Sequence, residues 1–231
     1  MQKITDDIMY EIGETTAKVV GSGHNIIVGN ICPEVYGKPV TEIGKNAFRN
    51  CKSLKSIKIP NSVSKINSWA FAHCESLESI TIPNSVTEIG DNAFFCCKSF
   101  KSIKIPNSIT NIARNAFWHC LSLESITIPN SVKSIYENAF SGCISLALIE
   151  FPNSIENIGY GAFVGCKSLA SVVIPNSVKT IQKDAFNGCE NIRHVQFSQA
   201  LVDRPDTDEI FAQMFEAGLK TREVLLRIPT L

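Results

Sequence analysis

The chain of 231 residues carries 22 basic and 22 acidic side chains, so its formal charge at neutral pH is zero. That balance, without a basic stripe interleaved with aromatics, argues against a nucleic-acid-binding surface. No run approaches the roughly 18 apolar residues of a membrane-spanning helix, and the start "MQKITDDIMYEIGETTAKVV" lacks a secretory apolar region. The chain is therefore expected in the cytoplasm, unless its export signal lies outside it.

Residues 1–30 contain "MYEIGETTAKVVG" and "HNIIVGN", two β-prone runs separated by glycines. They predict a β-hairpin cap at the N-terminal end of the remaining chain, because an open end would leave apolar surface and a strand edge bare. The chain beyond them is a repeat. Cysteine recurs every 23 residues from Cys51 to Cys189, and phenylalanine from Phe48 to Phe186. Proline keeps the same step from Pro60 to Pro175, each time with Asn-Ser after it. A fixed period in this range marks a stacked solenoid. Residues 31–198 are assigned to about eight such units.

One unit shows the physics. In "SLESITIP" the alternation Ser79-Ile80-Thr81-Ile82 predicts a short strand with its isoleucines inward. Pro83-Asn84 turns the chain off the sheet, and Val86 and Ile89 return to the interior. Phe94 and Cys97, three apart, are expected on one face of a helical turn. About eight inward positions per unit are too few for a separate core, so units must stack.

The consensus "L-x-x-I-x-I-P-N-S-V-x-x-I-x-x-x-A-F-x-x-C" closely resembles the BspA-type (Treponema pallidum-type) leucine-rich repeat over about 43–197. "PEVYGKPVTEIGKNAF" (33–48) is similar to that family's irregular first repeat. The resemblance implies an α/β repeat solenoid, a right-handed superhelix with a parallel concave sheet, one short strand and one helical turn per repeat. It also implies non-catalytic protein recognition by a surface or secreted, adhesin-like binder. An intracellular interaction scaffold, or a recognition module of a larger assembly, is the alternative from the missing signal peptide. A structural spacer without a specific ligand is the third. The expected partner is a protein of unspecified identity, and the chain is expected to be a monomer.

A second period of 46 residues places Lys55, Glu78, Lys101 and Glu124 on successive strands as an alternating charge ladder. Beyond the last unit, "DTDEIFAQMFEAGLK" predicts a helix near 206–217 within a C-terminal cap spanning 199–231. A docking helix and the remnant of a neighbouring domain are the other readings of that segment.

Little in the chain suggests chemistry. His73, Cys96 and His119 share one repeat column, with the histidines about 10 Å apart, too far for both to ligate one zinc. No phosphate loop, zinc-protease motif or oriented Cys–His pair occurs. No catalytic residue, metal ligand or cofactor is assigned. The nine cysteines are read as reduced thiols, buried where they belong to the column, with Cys32 and Cys96 the most reactive.

Partner-binding candidates come from departures from the repeat. Trp69, Phe95 and Trp118 occupy the turn region of three consecutive units, where later units place Ser141, Val164 and Asn187. On the outward face of the strands, the early rungs are uniformly Lys, Glu, Ser and Thr. The later ones carry Leu148, Glu150, Ala170, Val173, Arg193 and His194.

Overall fold

The computed structural model describes residues 1–197 and, beyond them, Ala212. The C-terminal cap and its expected helix lie outside the described residues, save that Ala212 is helical. The described chain is a β-solenoid of about eight turns with parallel sheets.

The N-terminal end is more elaborate than a pairing of the two β-prone runs. Strands β1 (Gln2–Thr5), β2 (Ile8–Ile12) and β3 (Ala17–Ser22) form an antiparallel meander. The second run supplies β4 (Val28–Asn30), which pairs with none of them. β5 (Glu34–Val35) folds back on β6 (Lys38–Ile43) through the left-handed pair Tyr36-Gly37. β3 and β6 pair in parallel, so the meander closes directly onto the stack.

Each unit then contributes to two parallel ladders. β4 begins the first, pairing with β7 (Ser56–Lys58), which reaches Thr81 by one bridge. Its later part comprises β10 (Ser102–Lys104), β12 (Ser125–Thr127), β14 (Leu148–Glu150), β16 (Ser171–Ile174) and β18 (His194–Phe197). The second ladder runs from β6 to β8 (Lys65–Ile66) and β9 (Glu88–Ile89). It resumes as β11 (Asn111–Ile112), β13 (Ser134–Ile135), β15 (Asn157–Ile158) and β17 (Thr180–Ile181).

The Pro-Asn-Ser corner between the ladders is explained by two sets of bonds. The amides of Val63, Val86, Ile109, Val132, Ile155 and Val178 close a turn onto the proline carbonyl three residues back. Four of the six serine hydroxyls reach the preceding unit at the same offset. Ser62 instead donates to the Pro33 carbonyl at 3.0 Å, and the Ser177 hydroxyl is buried without a partner among the described residues. Ser85 Oγ donates to the Val63 carbonyl at 2.7 Å, and Ser131 and Ser154 donate to the Ile109 and Val132 carbonyls at 2.6 Å. Ser108 makes the same bond to Val86. The serine is thus a rivet between rungs.

The expected helical turn per repeat is not formed. On the third side, successive β-turns replace it, and the amides alternate between two partners. Ala116, Trp118 and Cys120 bond the carbonyl three residues back, whereas Asn115, Phe117 and His119 bond Glu137, Ala139 and Ser141 in the next unit. An α-helix would need all of these amides internally. Two residues per unit are also left-handed, as Asn115 (φ 52°) and His119 (φ 53°) are, which interrupts any helix. The three-residue spacing of Phe and Cys fits this turn stack equally well.

Inside, seven phenylalanines from Phe48 to Phe186 form one continuous stack, with neighbouring rings 5.1–5.4 Å apart and planes within 11°. All seven are fully buried, each contributing of order 1.5–3 kcal/mol by transfer from water. The column cysteines do more than fill space. Cys97, Cys120, Cys143 and Cys166 donate their thiol protons at 3.2 Å to the carbonyls of Phe71, Phe94, Phe117 and Phe140, each 26 residues earlier. Burial pushes these thiols far up, Cys143 to about 12, and for Cys166 a hydrogen bond with Cys189 leads. They are therefore held as thiols and not as nucleophilic thiolates.

One rung boundary differs from the rest. Among the described residues, no strand pairing joins β9 to β11, and none joins Thr81 to β10. Both ladders part between the same two units, although the Lys101 amide at the edge still reaches the Glu78 carbonyl at 3.3 Å. At that place Phe100 occupies a column held elsewhere by leucine or isoleucine, fully buried with its ring 5.7 Å from Phe94. A larger side chain in a close-packed column must displace its neighbours, and the shallow strand ladders yield. The turn stack does not. Asn92, Phe94 and Cys96 still donate to Arg114, Ala116 and Trp118 across the boundary.

Candidate functional site

Two separate surfaces hold the residues singled out in the sequence. The first is the outer face of the later rungs. Parallel pairing aligns Leu148 with Ser171 and His194, and Glu150 with Val173 and Gln196. Ala170 and Arg193 extend the row, the Arg193 amide donating to the Ala170 carbonyl at 2.9 Å. Leu148 is 50% exposed and Val173 46%, large apolar side chains standing on paired strands. Inward neighbours such as Ile149, Val172 and Val195 are buried and fix the register.

On the earlier rungs of this face the alternating charges stand in successive units without pairing with one another. Among the described residues, Lys55, Glu78, Lys101 and Glu124 make no ion pair. Extended outward side chains of one strand column need not converge, and pairing occurs elsewhere, between Lys65 and Glu88 on the second ladder at 3.0 Å and around Glu75 and Glu156. Glu75 lies between Lys98 at 3.0 Å and Lys52 at 3.6 Å, and Glu156 between Lys179 at 2.6 Å and Lys133 at 4.0 Å. These exposed pairs are worth about 0–1 kcal/mol each.

The second surface is an aromatic strip on the turn stack. Phe95 stacks on Trp118 with centroids 4.4 Å apart and planes within 12°. Trp69 meets Phe95 at 5.3 Å, His73 packs edgewise on Phe95 at 5.3 Å, and Trp118 lies flat on His119 at 3.6 Å. The Arg49 guanidinium covers the Trp69 ring at 4.9 Å, a cation–π contact. Gly142 makes room for this packing, since a side chain there would strike the His119 ring. The aromatics are half-buried against one another, so they form one strip and not isolated exposed rings.

Backbone geometry adds what sequence reasoning missed. Trp69 is left-handed (φ 63°), in a column otherwise held by Asn46, Asn92, Asn115, Asn138, Gly161 and Asp184. Asparagine, aspartate and glycine tolerate that conformation, and a bulky aromatic does so only at a cost. His73, Cys96 and His119 occupy the other left-handed column, which later becomes Gly142, Gly165 and Gly188. The runs of Asn and Gly at these two positions were the available signal. Burial lowers the basicity of both His73 and His119, and the charge of Arg49 adds to the effect at His73.

Cys96 is buried, contrary to the sequence expectation of a reactive thiol; Cys32 and Cys189 are the partly exposed ones, and all nine are free. Among the described residues, no three His, Cys, Asp or Glu side chains are placed to hold a metal ion. No helix of the described residues is long and apolar enough to cross a membrane.

Known proteins resemble this chain in sequence and fold. A leucine-rich repeat protein of Treponema pallidum has 26% sequence identity and a TM-score of 0.59, with 97% of this chain and 99% of that one covered. A leucine-rich cell surface protein from Faecalibacterium prausnitzii shares the fold at 20% identity and a TM-score of 0.50, with 100% and 95% covered. A comparison with curated proteins gives no match. The BspA type leucine-rich repeat region matches residues 35–146 and 110–217, in six copies. With its 23-residue rungs, stacked phenylalanines and riveting serines, this chain belongs to the BspA-type leucine-rich repeat family.

Proposed function

We propose that this chain is a non-catalytic protein-recognition module, monomeric and acting at the cell surface as an adhesin-like binder. Its binding face is the later part of the first ladder, with Leu148 and Val173 as apolar anchors. Glu150, Ala170, Arg193 and His194 surround them. The observation that carries this reading is the pair of half-exposed large apolar side chains on adjacent paired strands, where the four rungs before them, from β7 onward, present only polar ones. Ile27 and Val28, at the far end of the ladder, are the other exposed apolar pair. Desolvating them costs less than stripping water from lysines, and their strands need little ordering on binding. The cell-surface relative supports the location.

A second reading, an intracellular interaction scaffold, is favoured by nine free cysteines, since thiols persist in reducing compartments. The aromatic strip of Trp69, Phe95 and Trp118 is a further candidate anchor, because strain at Trp69 is retained where asparagine would relieve it.

Affinity capture with the full chain, repeated with Leu148→Asp and Val173→Lys, tests the assignment. Both substitutions should weaken capture with no change in melting temperature, and Lys55→Glu and Lys101→Glu should act mainly on salt dependence. Loss of capture in the lysine variants alone would move the site to the early rungs. Localising the native protein separates the surface and intracellular readings.

A further inference from the structure

The place where the ladders part is more than a packing defect. A cavity of about 380 Å³ opens there, lined chiefly by residues 87–91, 109–111 and Ala113. Flanking boundaries of the second ladder carry the same two backbone bonds. The Thr87 and Gly90 amides donate to Ser64 and Ile66, and the Lys133 and Tyr136 amides to Thr110 and Ile112. The two that would continue the series, from the Thr110 and Ala113 amides to the Thr87 and Ile89 carbonyls, are not formed. Four backbone groups that elsewhere face an adjacent rung therefore face this cavity. Two are donors and two are acceptors.

The side chains around them fit one class of ligand. Gly90 and Ala113 are small and keep the cavity open, whereas the next unit places Tyr136 in the same column, 49% exposed, as one wall. Asn111 and the hydroxyls of Ser68, Thr87 and Thr110 line the rest. Glu88 is paired with Lys65 at 3.0 Å, and Asp91 accepts the Arg114 amide at 3.2 Å, so neither carboxylate calls for a cation. The gap is bounded on one side by the bond from Ser108 to Val86 and on the other by the bonded turn stack. It therefore cannot admit another strand, which would require adjacent rungs to separate to about 9.6 Å, twice the strand spacing.

We propose that this seam binds a neutral, hydroxyl-rich ligand of single-sugar size, a pyranose unit. Hydroxyl groups both donate and accept, as the mixed set of backbone groups requires. A ring face of C–H groups would lie against Tyr136, and the cavity lies in the size range of small-molecule sites. The site is independent of the proposed protein-binding face, and its test uses no protein partner.

The test is a titration of the isotopically labelled full chain with glucose, galactose, mannose and N-acetylglucosamine, monitored by amide chemical shifts. Glucuronate serves as the charged comparator. At least one neutral sugar should shift residues 87–91 and 110–113 together with Tyr136, at about millimolar affinity, a free energy near 4 kcal/mol. Tyr136→Ala should weaken that binding at least ~10-fold without lowering the melting temperature, as expected for an exposed wall that holds a ligand. Phe100→Leu, which restores the residue used by neighbouring units, should close the gap and weaken binding as well. The proposal is overturned if none of the four neutral sugars shifts these amides, if only glucuronate does, or if binding survives Tyr136→Ala undiminished.

Discussion

Across the boundary between the second and third regular units, the two ladders and the turn stack behave oppositely. Both ladders lose their strand pairing there, while the turn side keeps its inter-unit bonds and the phenylalanine column keeps its 5.4 Å spacing. The strands of this solenoid are two to four residues long within the regular units, so each rung offers few ladder bonds and gives way to one oversized side chain. The turn side holds because each unit contributes three alternate inter-unit amides, a buried ring and a thiol donor at the same level. In this protein the irregular-looking side is the continuous one.

That contrast is broken most directly at the ring column. Phe117→Ala should cost about 3–5 kcal/mol, the range for truncating a core phenylalanine, read as a large fall in melting temperature. An unchanged midpoint would show that the column does not hold the stack. Next in size is the serine rivet. Ser131→Ala removes the donor to the Ile109 carbonyl and should cost about 1–3 kcal/mol, the penalty of leaving a shielded acceptor unmade. A cost near zero would mean that solvent replaces the hydroxyl.

Phe100→Leu sharpens the comparison with a smaller effect. Lost burial and relieved crowding oppose each other, so stability should change by less than about 1.5 kcal/mol, as for size-tolerant core exchanges. Hydrogen exchange at Thr110 and Ala113 should slow as the ladder reforms; unchanged exchange at both amides would acquit Phe100 of opening the ladders. The smallest effect is acid sensitivity of the turn side. His73 and His119 both have folded pKa values below the ordinary value, chiefly through burial. The unfolded chain therefore takes up more protons as the pH falls through about 6.5, and stability declines below that point and is unaffected above it. Replacing both histidines with asparagine should flatten the melting temperature between about pH 7 and 5.

Much of this architecture was legible in the residues. The 23-residue step, the inward alternation around Ile80 and Ile82 and the proline corner are all readable from short-range rules. The two outward surfaces could be placed by counting columns. The second ladder was not foreseen, because Glu88-Ile89 and its equivalents are only two residues long, too short for an alternation pattern. The helical turn was expected because a spacing of three suits both a helix and a β-turn. What decides between them is the left-handed pair in each unit, visible only as recurring Asn and Gly. The hydrogen-bonding role of the column cysteines was hidden because burial alone accounts for their presence. Phe100 looked like an ordinary apolar exchange, and only the structure places its ring, 5.7 Å from that of Phe94, beside the parted rungs.

The bonds that join one unit to the next span fixed chain offsets, 22 residues for the serine rivets and the turn amides and 26 for the thiols. Each offset is the repeat length shifted by a constant. Loss or duplication of a whole 23-residue unit would therefore carry every donor to an equivalent acceptor. A one-residue insertion would misalign all of them at once across that joint. Length in this molecule is quantised, and whole-unit exchange between copies of the repeat is a change that its hydrogen bonding tolerates. Phe100 would travel with its own unit, but the cavity also takes Gly90 from the unit before and Tyr136 from the unit after, so only a block of consecutive units would carry it to a new place along the stack.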